Sequence, residues 1–212
     1  DQNLSTAERI RVIYNGYDFP DNIDPELPFS IPGGRYIFAS AGRLTAQKGY
    51  DILISACAAL KKKRNDFFLI IAGEGGERKK YEMQIMENEL EKNILLPGEI
   101  DNIRGLFSRA GCVLIPSRAE GIPNALFEAW SVKKPVIAAA SSGIPEAVDH
   151  GQNGILISHD PAELTNAMLD AIENNEKFEK MGKNGFEKLN KFFSLEKMTD
   201  KIETLFFDLI KK

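Results

Sequence analysis

Six short apolar runs, at residues 36–41, 67–71, 94–96, 112–115, 135–139 and 154–157, alternate with stretches of helical spacing. This alternation constrains the fold more than any other feature. A short, continuous apolar run suits a strand buried on both faces. A helical stretch after it supplies the crossover that a parallel neighbour needs. The spacing predicts helices at 46–63, 77–90, 102–110, 123–132 and 145–149. A further helix opens at Asp160, where an N-cap acid, Pro161 at the first position and Glu163 as a capping-box acid follow one another. Two more amphipathic stretches, 176–192 and 195–210, close the chain. The fold class that follows is α/β, a doubly wound parallel sheet with C-terminal helices.

Residues 1–34 read differently. Ser5-Thr6-Ala7-Glu8 fits a capping box and predicts a helical turn. Residues 11–14 form a brief strand-like run that stops at Asn15-Gly16. Pro20, Pro25, Pro28 and Pro32, then Gly33-Gly34, make an irregular connector. The expected division is a linker or hinge segment over 1–34 and one domain over 35–212.

The 212 residues suffice for a real core. A net charge of −4 and no basic stripe argue against nucleic acid as a partner. The cationic clusters at 61–64 and 78–80 fall near predicted helix ends, where the dipole and solvent account for them. Cys57 and Cys112 sit inside apolar patterns and read as buried free thiols in a reducing, cytoplasmic compartment. No apolar run approaches the ~18 residues of a membrane span, and no signal peptide is visible. The chain begins at Asp1 without Met, so it is expected to be part of something longer.

In a doubly wound sheet, ligands bind outside the carboxyl ends of the strands. After the first run, Arg43 and Lys48 lie in a strand-to-helix turn, where two cations can neutralise a diphosphate. They also fit as plain surface cations, and spacing does not separate the two readings. After the second run, Gly73-Glu74-Gly75 lets backbone approach a ligand or simply makes a turn. After the third, Pro97-Gly98-Glu99-Ile100 could wall a base or be another turn. After the fourth, residues 115–130 pass through a loop holding Glu120 and Gly121 into a helix carrying Asn124, Ala125 and Glu128. Carboxylates accept from hydroxyl groups, and a helix start suits phosphate. Taken singly, each acid has a bland explanation as a solvated charge near a helix N-terminus. After the fifth, residues 141–146 repeat the pattern of small residues opening a helix. His150 and His159 fall in turns and read as structural. No cluster has metal-ligand spacing.

Together these motifs resemble the C-terminal, donor-binding domain of retaining glycosyltransferases of the GT-B fold, family 4 or group 1. The resemblance rests on Asn15-Gly16-Tyr17-Asp18, Gly42-Arg43-Leu44 with Lys48-Gly49, and Gly73-Glu74-Gly75. It continues through Pro116-Ser117, the Glu120/Glu128 pair, Gly143-Ile144-Pro145-Glu146 and Asn153-Gly154. Tyr17 stands where Val is usual, and the loop after Glu120 lacks the second Gly or the aromatic of many members. The resemblance implies a Rossmann-like domain that binds a nucleoside-diphosphate sugar, UDP or GDP, with no cofactor and no metal. Arg43 and Lys48 would hold the diphosphate with the amides of Asn124 and Ala125, and Glu128 would accept from ribose. Glu120 would contact the transferred hexose-type sugar beside Gly121. Gly73, Glu74 and backbone at Ile100 would line the donor, Ile100 against the base. Glu120, Arg43 and Lys48 are the expected catalytic residues.

The resemblance further implies that an N-terminal acceptor domain of the same protein is missing. The isolated fragment would then bind donor weakly and transfer poorly. Its setting would be bacterial surface-polysaccharide synthesis on a lipid-linked acceptor, with membrane contact at most peripheral. The alternative is a non-catalytic nucleotide-binding or interaction module on the same fold.

Overall fold

The computed structural model describes residues 10–20 and 22–210. The capping box at Ser5 to Glu8 lies outside the described residues. Six strands form one parallel sheet: β1 (Tyr36–Ala41), β2 (Phe67–Ala72), β3 (Ile94–Gly98), β4 (Cys112–Ile115), β5 (Val136–Ala139) and β6 (Ile155–Ile157). Their order is β3-β2-β1-β4-β5-β6. The chain runs outward from β1 to β3, returns to the middle, and runs outward again from β4. The order therefore reverses between β1 and β4, which opens a crevice at their carboxyl ends.

The alternation of side chains along each strand feeds two cores. Phe38, Leu69, Ile71, Cys112, Leu114 and Ile137 pack on one face with α1 (Tyr50–Lys61) and α6 (Pro161–Glu173). Ala39, Ile70, Val113, Ile115 and Ala138 pack on the other with α3 (Ile103–Arg109), α4 (Asn124–Ser131) and α7 (Asn175–Phe192). Both faces are apolar because both are covered. Each fully buried Leu or Phe is worth about 1.5–3 kcal/mol. Trp130 of α4 is fully buried, and its ring closes on Gly185 of α7, where a Cβ would lie 2.3 Å from the indole. Its Nε1 donates to Asn153 O at 3.2 Å, which gives Asn153-Gly154 a packing role.

α2 (Arg78–Glu87) buries only Tyr81 and Ile85, as its charged sequence predicts, and α5 (Ile144–Ala147) is a single turn. α8 (Leu195–Ile210) has no buried residue, and Phe206, Phe207, Leu209 and Ile210 are exposed along it.

Three expectations need correction. The helix predicted at 46–63 is broken: a 3-10 turn, Ala46–Lys48, is followed by Gly49 at φ 71°, and α1 starts at Tyr50. A Cβ on Gly49 would lie 2.1 Å from Pro116 O, so the turn packs where only glycine fits. The run at 11–14 forms no strand. Its aromatic neighbours go to a cluster instead, with the Tyr14 ring 5.5 Å from Phe193 and the Tyr17 ring 4.5 Å from Phe127. Finally, Glu163 does not close a capping box on Asp160. Asp160 caps Ala162 N at 2.9 Å, but Glu163 accepts from Ser158 N at 2.7 Å.

The proline-rich connector is not detached. Leu27, Phe29 and Ile31 pack against the second core. Both cysteines are buried and free, and burial pushes both thiols up from their ordinary values. His150 accepts at Nδ1 from Leu156 N at 3.1 Å, and His159 Nε2 lies 3.2 Å from Ser117 O. Both histidines thus serve the backbone.

Candidate functional site

The connections after β1, β2 and β3 are stitched into one floor. Gly42 N donates to Ala72 O at 2.9 Å, Leu44 N to Glu74 O at 2.8 Å, and Gly73 N to Gly98 O at 2.8 Å. Gly73 has φ 139°, and a Cβ there would lie 2.1 Å from Gly42 O. The floor is therefore backbone on backbone, with no room for side chains between layers. The opposite wall is the connection from β4 to α4. Its backbone is propped by the next connection, since Gly143 N donates to Glu120 O at 3.1 Å and Ser141 Oγ to Ser117 O at 2.7 Å.

Between floor and wall lies a cavity of about 710 Å³ at the β1/β4 crevice. All ten residues singled out from the sequence line it. Arg43 and Lys48 come from the β1 connection, Gly73 and Glu74 from β2, and Ile100 from β3. Glu120, Gly121, Asn124, Ala125 and Glu128 come from the β4–α4 segment. Their meeting follows from sheet order: β1, β2 and β3 are neighbours, and β4 returns beside β1.

The cavity joins opposite charges. Arg43 is exposed, whereas Lys48 is ion-paired with Glu120. α4 begins after Pro123 with no side-chain cap, so its first N–H groups are available to an anion. One turn into that helix, Glu128 is half-buried. Burial raises its carboxyl above the ordinary value, and the Arg104 charge opposes that shift. Glu74 departs from expectation in one respect. Its carboxylate is held by Arg78 at 2.5 Å and its carbonyl accepts from Leu44 N, so its contribution to the cavity is mainly as part of the floor.

Other lining residues were not singled out. Gln47, Asp101 and Ile103 all face the cavity. Each is within three positions of a residue that was, so widening the window at each strand end would have found them. Tyr17 is different. Its hydroxyl donates to Asn124 Oδ1 at 2.7 Å from a segment far away in the chain. Its phenol is raised by burial, with Asn15 opposing and the Glu128 charge adding to the shift. A second, larger cavity of about 850 Å³ lies among Phe19, Arg104, Lys133, Phe186 and Leu195. It gathers none of the ten strand-end residues, so the smaller cavity is the candidate site. Among the described residues no group of three His, Cys, Asp or Glu side chains could hold a metal ion.

The family described as "Glycosyl transferases group 1" matches residues 27–188, more than half of the chain. An uncharacterized glycosyltransferase of Methanocaldococcus jannaschii, MJ1178, is 32% identical over 99% of this chain and 56% of its own length. The amylovoran biosynthesis glycosyltransferase AmsK of Erwinia amylovora is 32% identical over 80% of this chain and 43% of its own length. The chain thus spans about half the length of these relatives. Among solved structures, HepE of Anabaena in complex with UDP superimposes with a TM-score of 0.84 at 26% identity, over 96% of this chain and 58% of that one.

Proposed function

The chain belongs to the group 1 glycosyl transferases, and on that footing we propose that it is the donor-binding part of a retaining enzyme that transfers a hexose-type sugar from a nucleoside-diphosphate sugar. One observation carries this reading. Two cations, an uncapped helix start and five acidic residues, Glu120 and Glu128 among them, meet in one cavity at the reversal of strand order. A ligand with a diphosphate flanked by two hydroxyl-rich rings uses all of these groups, and a simple phosphate would leave the carboxylates repelling it.

In this reading Arg43 and Lys48 hold the diphosphate with the amides of Asn124 and Ala125. Glu128 accepts from the ribose hydroxyls, and Ile100 faces the base. Glu120 and Gly121 meet the sugar, while the backbone at Gly73 and Glu74 forms the floor. The base is uracil or guanine; the complex of HepE with UDP supports the former. When the bond from the anomeric carbon to the diphosphate breaks, negative charge grows on the leaving oxygen. Preset cations and amide dipoles stabilise that charge without a metal and lower the barrier.

The acceptor binds a further domain of a longer protein, and this chain alone turns over poorly. Its setting in this reading is surface-polysaccharide synthesis in a bacterial cytoplasm, on a lipid-linked acceptor; the similarity to the amylovoran biosynthesis glycosyltransferase AmsK supports the polysaccharide part of it. Among the described residues no helix is long and apolar enough to cross a membrane. Calorimetric titration with UDP-, GDP- and ADP-sugars tests the reading. Binding of one class, lost in Arg43→Ala and Lys48→Ala, supports it. Binding of none, or equal binding by the double variant, overturns it in favour of a non-catalytic module. A sugar-transfer assay on the fragment and on the longer protein tests the missing half, and equal rates would sink that part.

A further inference from the structure

Lys48 and Glu120 meet across the cavity, yet neither lies in a strand or an α-helix. The 3-10 turn Ala46–Lys48 buries no residue. Residues 116–123 have no regular structure. The packing of Gly49 on Pro116 O brings the two walls together at one end, and side-chain contacts must hold the rest.

We infer that Arg118, with Asp51, is the positioning residue of the cavity: a clasp behind it that fixes the Lys48 turn against the Glu120 loop. This inference rests on the donor-binding reading above. Arg118 Nη1 donates to Ala46 O at 2.6 Å and to Asp51 Oδ1 at 2.7 Å, and Nη2 donates to Asp51 Oδ2 at 2.7 Å. Such a two-pronged guanidinium–carboxylate pair fixes direction as well as distance. One prong ends on a carbonyl of the very turn that carries Lys48. The backbone repeats the link, because Arg118 N donates to Gln47 O at 2.7 Å and Gln47 Nε2 donates back to Ala119 O. Asp51 is anchored in the first turn of α1, where a helix favours a negative charge. Its carboxyl is held below its ordinary value chiefly by the hydrogen bond from Arg118.

The competing account is an ordinary surface ion pair, which contributes little. Side-chain exposures of 39% for Arg118 and 30% for Asp51 fit that account by themselves. The pattern of acceptors does not, since a decorative pair has no reason to include Ala46 O. Arg118 also lies outside the cavity lining, so its effect on a ligand must pass through Lys48, Gln47 and Glu120. A displacement of these groups by a fraction of an ångström is enough to weaken a preset site.

Arg118→Lys keeps the charge and removes the fork, and Asp51→Asn keeps the shape and removes the charge. In each, amide hydrogen exchange is expected to quicken at residues 42–49 and 116–121 while β2 and β5 stay protected. Affinity for UDP or GDP, whichever the unaltered chain binds, is expected to fall about tenfold in each single variant and no further in the double. Arg64→Lys breaks a similar exposed fork with Asp66 elsewhere and serves as the control with unchanged affinity. Unchanged exchange in the two segments, or unchanged affinity, overturns the inference. Should the unaltered chain bind neither nucleotide, the donor reading fails, and hydrogen exchange alone then decides the clasp.

Discussion

Lys48 is ion-paired with Glu120 across the cavity, and the two side chains are only 23% and 10% exposed. The cation expected to hold a diphosphate is therefore engaged by the acid expected to meet the sugar. A ligand phosphate must share Lys48 with Glu120 or displace it. The pair keeps each charge compensated while the cavity holds no ligand, at the expense of some affinity for anions.

The two ends of that pair should consequently behave in opposite ways. Glu120→Gln removes the competing charge, so UDP or GDP is expected to bind as well or a few-fold more tightly. Sugar transfer in the longer protein should fall in the same variant. Lys48→Ala should weaken nucleotide binding at least tenfold, and it leaves Glu120 with little solvent and without its ion-pair partner. That loss should cost about 1–3 kcal/mol of stability. Calorimetry and thermal unfolding read both effects. Weaker nucleotide binding by Glu120→Gln would contradict the competition.

Tyr17 offers a cleaner probe, because packing and hydrogen bonding can be separated there. Its ring stacks on Phe19 and sits 4.5 Å from Phe127, while its hydroxyl donates to Asn124 Oδ1. The Asn124 side chain is thereby fixed through its oxygen, and its amide N–H groups have no hydrogen-bond partner among the described residues. Tyr17→Phe keeps the ring and removes only the donor. Nucleotide affinity is expected to drop about three- to tenfold, with stability changed by about 1 kcal/mol or less. Unchanged affinity would reduce Tyr17 to a packing residue.

Much of this architecture was legible in the sequence. The strands were, because a strand covered on both faces is a continuous apolar run such as 67–72, all of it buried. The lining of the cavity was, because a doubly wound sheet brings its strand ends to one side, so order along the chain already implies convergence. What stayed hidden were pairings between distant side chains. Nothing local at Arg118 points to Asp51, 67 positions away. The break at Gly49 was hidden for the same reason, since it answers to the carbonyl of Pro116. The run ending at Tyr14 read as a strand because Val12 and Ile13 are apolar, yet the Tyr14 ring packs on Phe193, just beyond α7.

Two glycines of the cavity should respond very differently to one added methyl. Gly73 has φ 139° and no space, with Gly42 O at 2.1 Å from a built Cβ. Gly73→Ala is expected to destabilise by about 2–4 kcal/mol through strain and displacement of the floor. Gly121 has nothing within 4 Å. Gly121→Ala should stay within about 0.5 kcal/mol of the unaltered chain. If the sugar is seated beside Gly121, that variant should still lose affinity for the nucleotide sugar but not for the free nucleotide. Thermal unfolding and paired titrations with both ligands check this. Equal stability of the two variants would refute the close-packed floor.

Glu128 should make both stability and ligand binding depend on pH, in opposite senses. Burial raises its carboxyl above the ordinary value of 4.5. It makes no side-chain hydrogen bond or ion pair among the described residues, although the Arg104 charge partly offsets the burial. A raised folded value means that the native chain holds this proton more tightly than the unfolded chain does. Below the ordinary value both states are protonated and the fold carries no penalty. As pH rises from there through the raised value, the native carboxylate ionises in a half-buried place and stability is lost. Glu128→Gln carries no such charge. It should therefore match the unaltered chain at about pH 4 and exceed it by about 1 kcal/mol at about pH 7.5. A bound ribose reverses the balance, because its hydroxyls donate to the ionised carboxylate. Nucleotide affinity of the unaltered chain should accordingly rise with pH across the same window, and the rise should be absent in Glu128→Gln. Melting curves at the two pH values, with titrations of UDP and GDP alongside, measure both effects. A Gln variant less stable than the unaltered chain at neutral pH would show that the carboxylate is satisfied in the free protein, and that it is not held in reserve for a ligand.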